Sequence, residues 1–185
     1  MFGGGWFVIT TGANADYDGN EYVYTSTDGI NWTQSATMYT GTTHGFTADS
    51  HYLNGKYYVA GNLASKPYIF LSTDRVNWTK VLSSYGDTNG NINLGSGFDN
   101  SRNAVMVGVG WSRTYFSTDG SSFQKVSLPI YQHTLNAVVY GNNEFIAVGR
   151  DGYNIGVVYK SSNGSVWIQD NIPSSGGFRS IAYKN

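Results

Sequence analysis

Cysteine is absent from the 185 residues, and proline and methionine are scarce at three each. Without thiols the chain forms neither disulfides nor thiolate metal sites, so its redox compartment cannot be read. Charge is thin as well: Asp, Glu, Lys and Arg make up 12%, about half the roughly 25% of an ordinary globular chain. Eleven basic against twelve acidic residues leave a formal net charge of −1. No cation cluster of the kind that neutralises phosphates is present, which excludes nucleic acid as a partner. No apolar run approaches the ~20 residues of a spanning helix, which argues against membrane insertion. The opening MFGGGWFVITTG has neither the basic region nor the long apolar stretch of a signal peptide.

What is present is glycine and aromatic rings. Glycine is 24 of 185 residues, and Tyr, Phe and Trp number 15, 9 and 5. The length suits one domain or at most two small ones, and 40% hydrophobic content is enough to build a core. No stretch keeps a 3.6-residue apolar period, so essentially no helix is expected. The composition reads as a neutral, tyrosine-rich, all-β domain.

Four segments align with one another: YTSTDGINWTQ from Tyr24, FLSTDRVNWTKV from Phe70, YFSTDGSSFQKV from Tyr115 and YKSSNGSVWIQ from Tyr159. Their anchors, Asp28, Asp74, Asp119 and Asn163, lie 46, 45 and 44 residues apart. Four residues after each anchor stands Trp32, Trp78, Phe123 or Trp167. Before each of the last three, a turn leads into a short β-branched or aromatic run ending in glycine, as in GNNEFIAVGR from Gly141. These are strands bounded by breakers. In the last copy the four strands read a (137–140), b (144–149), c (156–161) and d (166–170). Four strands in about 45 residues, repeated, is the period of a β-propeller blade. The spacing therefore predicts a single 1–185 domain of four blades, each a four-stranded antiparallel sheet.

The ends look permuted by one strand. Trp6–Thr11 reads as a strand b with no strand a before it, and the final GGFRSIAYKN supplies an unmatched strand a. The last segment is thus expected to pair with the first blade and close the ring, hiding edges that invite aggregation.

The segment S-T-D-G-I-N-W resembles the Asp-box, the bacterial neuraminidase repeat, one residue tighter than its usual spacing. Such sialidase-like propeller repeats occur in phage tail and secreted bacterial proteins, and the resemblance covers essentially the whole chain. It implies a virion-associated or extracellular setting. It also implies that the boxes join strands c and d on the face opposite any ligand site. Physically the motif is a hairpin turn: the glycine after the acid takes a positive φ and the acid binds nearby amides. Ser26, Ser72, Ser117 and Ser161 add hydroxyl bonds, while Trp32, Trp78, Phe123 and Trp167 pack the hairpin on its blade. Arg75 in place of glycine and Asn163 in place of aspartate are the departures. The motif predicts fold, not activity.

A sialidase of this family would need an arginine triad, a Tyr–Glu pair and an Asp. Only two glutamates, Glu21 and Glu144, and five arginines are present. Arg75 lies in a box and Arg102 in an a–b turn, leaving Arg113, Arg150 and Arg179 for the opposite face. The two carboxylates of general glycosidase chemistry are not found, so no catalytic residue is assigned. The stretch Asp16 to Glu21 lacks the further ligands of a calcium loop and reads as a solvated b–c loop. His44, His51 and His133 have no metal-ligand spacing and read as loop or strand-end residues. No metal or cofactor is expected. The sequons at Asn31, Asn77 and Asn163 fall inside the boxes, where fold geometry explains them.

The d–a and b–c loops share the other face. They carry Tyr39, His44, Tyr85, Asp87, Tyr131 and His133, together with Tyr17, Trp111, Arg113, Arg150, Asp151 and Tyr153. Rings mixed with polar groups suit sugar recognition, because rings stack on apolar sugar faces and polar groups satisfy hydroxyls. Tyrosine-rich loops covering a small ring are the competing explanation. The expected function is a non-catalytic binding or attachment module with glycan as leading ligand. The alternatives are a structural assembly component using a protein partner and, third, a sialidase-like glycoside hydrolase.

Overall fold

The computed structural model describes residues 1–12, 19–41, 44–83, 92–98, 103–111, 113–130, 132–173 and 175–184. Among them there is no helix. Two compact units divide the chain at Met1–Ile92 and Asn93–Asn185.

The first unit holds two antiparallel four-stranded sheets. One runs β1 (Phe2–Gly3), β2 (Trp6–Thr10), β3 (Glu21–Ser26), β4 (Thr33–Tyr39), and the other β5 (Gly45–Leu53), β6 (Lys56–Leu63), β7 (Lys66–Ser72), β8 (Thr79–Ser83). Each strand pairs with its sequence neighbours, as a meander. The second strand of a sheet is the most apolar: β6, KYYVAGNL, is buried on both faces. Outer strands such as β4, TQSATMY, leave all but one residue exposed or half-buried, and this polarity discourages pairing with a foreign strand. The core gathers Val8, Val23, Met38, Val59, Tyr68 and Phe70. Each fully buried aliphatic side chain there is worth about 1.5–3 kcal/mol. Tyr57 ties the first sheet to the second: its hydroxyl donates to the Gly3 carbonyl at 2.9 Å.

The second unit repeats the plan with β9 (Asn93–Phe98), β10 (Ala104–Val109), β11 (Arg113–Ser117), β12 (Gln124–Ser127) and with β13 (Thr134–Gly141), β14 (Glu144–Arg150), β15 (Gly156–Ser161), β16 (Ile168–Asp170). Its core comprises Val105, Val107, Leu135, Phe145, Ala147, Val157, Tyr159 and Trp167. Strand c of the last copy runs over 156–161 as the sequence predicts. Strand d starts at Ile168, two residues late, because Val166 and Trp167 belong to the turn.

The expectation for the N-terminal end needs correction. The N-terminus does have an inner strand: Phe2 pairs with Phe7 and Gly3 with Trp6. Gly4 and Gly5, at φ +56° and +80°, supply the two positive-φ positions of a tight hairpin turn, so a two-residue strand suffices. The C-terminal closing strand is not formed among the described residues. Residues 175–184 instead lie along β13 and β14, where the Phe178 amide donates to the Gly149 carbonyl at 3.0 Å. The tail still echoes the repeat. A Cβ on Gly97 would fall 2.3 Å from the Tyr140 ring, and one on Gly141 would fall 2.3 Å from the Tyr183 ring. Tyr183 is thus seated on β13 as Tyr140 is seated on β9.

Candidate functional site

At one end of every sheet lie the four serine–acid turns. In the first, the Ser26 hydroxyl donates to Asp28 Oδ1 at 2.8 Å and accepts from the Gly29 amide at 2.9 Å. The Ile30 and Asn31 amides both donate to Asp28 Oδ1 at 2.8 Å, and Asn31 Nδ2 donates to Oδ2 at 2.7 Å. Asp74, Asp119 and Asn163 repeat the pattern with Ser72, Ser117 and Ser161. The amide donors hold the Asp28, Asp74 and Asp119 carboxyls well below the ordinary carboxylate range. Trp167 Nε1 donates to the Gly164 carbonyl at 3.1 Å and its ring is buried. Trp78 is partly buried, whereas Trp32 remains 38% exposed, its ring tilted at 57° to that of Phe7. In each copy the serine hydroxyl and the acid or amide oxygen Oδ1 are thus bonded within the turn itself.

Arg75 is the exception worth a physical account. It sits at φ +70° where the other copies have glycine, a conformation costly for a residue with a Cβ. Its guanidinium compensates by lying 4.6 Å above the Trp6 ring and donating to the Tyr57 hydroxyl at 3.2 Å.

Antiparallel pairing puts the b–c and d–a connections at the other end of each sheet. In the first unit, Tyr39 ends β4 and packs on the core, and His44 is exposed with its carbonyl taken by the Ala64 amide. His51 lies inside β5 rather than at its end, and burial lowers its pKa, opposed by Asp49. Glu21 is fully buried and accepts from the Tyr68 hydroxyl at 2.9 Å. Burial, then the adjacent carboxylate, pushes the Tyr68 phenol far above its usual range. Sequence reading passed over this Tyr–Glu pair because the partners are 47 residues apart. Tyr17, Tyr85, Asp87 and Tyr131 lie outside the described residues.

In the second unit, Trp111 bridges to Thr134 and Arg113 opens β11; both are half-buried. His133 is not displayed: it is 6% exposed, with Nδ1 2.7 Å from the Tyr159 hydroxyl. Burial lowers its pKa, opposed by Asp151, and burial pushes Tyr159 up to about 12. Asp151 closes its own loop, accepting from the Tyr153 amide at 2.9 Å and the Ile155 amide at 2.8 Å. That leaves Tyr153 at the tip, 87% exposed.

Beside this loop is a cleft of about 310 Å³ lined by Asn136, Arg150, Asn154, Gly177, Phe178 and Arg179. Of the candidate residues, only Arg150 lines it, with Asp151 and Tyr153 on the adjoining loop. Asn136 reaches it through a bulge: Leu135 faces Gly149 and Ala137 faces Val148, leaving Asn136 unpaired in the ladder. Bulges re-aim side chains in this way. Asn136 Nδ2 donates to the Phe178 carbonyl at 2.7 Å. Arg150 Nη1 donates to Asn154 Oδ1 at 3.1 Å, and Asn154 sits at φ +66°. Asn136 and Asn154 escaped the sequence reading; no residue pattern marks a bulge, and the tail was expected elsewhere.

No family model matches the chain, and no curated protein does. Solved β-propeller structures do. The native arabinanase of Bacillus subtilis superimposes with a TM-score of 0.55 at 16% identity, over 90% of this chain and 72% of that one. A mutant lectin of Aleuria aurantia in complex with Fucα1-6GlcNAc gives a TM-score of 0.64 at 10% identity, over 92% of this chain and 58% of that one. The sialidase of Trypanosoma rangeli in complex with sialic acid gives 0.57 at 14% identity, over 91% and 36%. The fold is therefore all-β and of the β-propeller type, built of four four-stranded antiparallel blades.

Proposed function

We propose that the chain is a non-catalytic carbohydrate-binding or attachment module, one domain of four repeats, that takes its ligand at the β14–β15 loop. The observation that carries this reading is an open polar cleft beside an exposed ring. Two amides and two guanidinium groups line it, and Tyr153 stands on the same short loop as Asn154. Sugars are held by this combination of a stacking surface and a few directed polar groups. The shared fold with an arabinanase, a lectin and a sialidase supports a carbohydrate ligand. Binding is favoured over hydrolysis because among the described residues no Asp or Glu lines the cleft, and glycosidase chemistry generally needs two. Presentation on a virion tail, a cell surface or a secreted assembly fits an attachment role.

A second reading has its own support. Phe2 (60% exposed) and Trp32 (38%) form part of an apolar surface around Phe7, which suits a protein partner in an assembly. A glycan array at high protein concentration separates the two. Retention of at least one glycan is expected, without turnover of fluorogenic glycosides. Binding to no saccharide overturns the carbohydrate reading, and turnover overturns the non-catalytic one.

A further inference from the structure

The cleft holds two positive charges and no negative one. Arg150 and Arg179 both line it, and the other lining residues are Asn136, Asn154, Gly177 and Phe178. Among the described residues neither arginine meets a carboxylate; Arg150 is bonded only to the neutral Asn154 side chain. Nearby acids are engaged elsewhere. Asp151 is taken up by the Tyr153 and Ile155 amides, and Asp170 by Lys160 at 2.6 Å. In a chain of five arginines, two converge on one small cavity. Two like charges sharing a cavity repel each other until an anion enters.

We propose that the ligand is an acidic saccharide, a uronate-bearing oligosaccharide whose carboxylate is held by Arg150 and Arg179. The proposal rests on the carbohydrate reading above and names its ligand class. The guanidinium group is a planar fork that matches a carboxylate through two parallel bonds and sheds its hydration easily. Arg150 is already oriented, since Asn154 holds its Nη1 and Gly177 lies against its aliphatic stem. The Asn154 amide nitrogen is left to donate to a sugar hydroxyl. A volume of about 310 Å³ is at the low end for small-molecule sites and suits one sugar residue, with the rest of the chain running out past Tyr153.

The test is fluorescence anisotropy of labelled trigalacturonate with the full chain, against its methyl ester, neutral galactotriose and a sulfated galactan oligomer. The acid should bind about tenfold or more tightly than the ester. Arg150→Gln and Arg179→Gln should each weaken the acid by about tenfold or more and shrink the preference for acid over ester. Arg150→Lys, which keeps the charge but not the fork, should fall between. If a variant does not fold, the parent decides: acid binding should weaken steeply towards about half-molar salt. An ester bound as tightly as the acid, folded variants with unchanged affinity, salt-independent binding or a preference for the sulfated oligomer overturns the proposal. If neutral sugars bind and the acid does not, this inference falls and the carbohydrate reading stands. If nothing binds, both fall.

Discussion

The Asn136 side-chain amide donates to the Phe178 carbonyl at 2.7 Å, joining a bulge in β13 to the C-terminal tail. One bond thus joins two of the residues that line the cleft. Asn136→Ala should cost about 1 kcal/mol of stability, a typical neutral hydrogen bond. It should cost more in saccharide affinity, because the tail that carries Arg179 loses one of its anchors. Urea unfolding beside a binding isotherm checks this; equal affinity in parent and variant would count against the cleft.

Gly141 makes room for Tyr183. A methyl group there would meet the Tyr183 ring at 2.3 Å, so Gly141→Ala should lift the tail from β13. Hydrogen exchange at the Phe178 amide, now bonded to Gly149, should accelerate, and binding should weaken in parallel. Unchanged exchange would show that the ring shifts without releasing the tail.

Tyr153 is 87% exposed, and its removal should leave stability within about 0.5 kcal/mol of the parent. Loss of a stacking ring should still reduce saccharide affinity, by about three- to tenfold. A Tyr153→Phe variant should bind like the parent if the ring face is what matters.

Arg75 sets a left-handed backbone cost of about 1–2 kcal/mol against cation–π contacts worth about 0.5–2 kcal/mol. Arg75→Gly removes both and should stay within about 1 kcal/mol of the parent. Arg75→Ala keeps the strain, loses the Trp6 contact and should be less stable by about 1–2 kcal/mol. Urea midpoints order the three chains; an alanine variant equal to the parent would contradict the compensation.

Acid should loosen the turns. The Asp28, Asp74 and Asp119 carboxyls titrate lower in the folded chain than free, so folding favours their ionised forms. Their contribution is complete above the ordinary carboxylate value of about 3.9 and is lost as pH falls below it. His51 and His133, lowered by burial, add an earlier loss as pH falls through about 6.5. Changing all three aspartates to asparagine, as Asn163 already stands, should flatten the melting temperature below about pH 4 while leaving the earlier slope. An unchanged acid slope would show that other groups dominate.

The blades were legible because their signals are local. The turn from Ser161 to Trp167 fixes where β15 ends, and the alternating core residues of β14 fix which face is buried. The cleft was less so. Arg150 and Tyr153 stand out as a charge and a ring in a b–c loop, but Asn136 enters the site only through a bulge whose cause is the three-dimensional pairing of β13 with β14. At the chain ends, Tyr183 occupies a strand-like seat on Gly141 that its repeat position foreshadows, whereas the inner strand before β2 is only two residues long and too short to read as a pattern.

The most direct test is a heteronuclear NMR titration of the intact chain with the best saccharide from a glycan array. The expected result is a set of saturable shifts concentrated at the amides of Asn136, Arg150, Tyr153, Asn154, Phe178 and Arg179. Shifts centred on the serine–acid turns, or none at any ligand concentration, would contradict a saccharide site in this cleft.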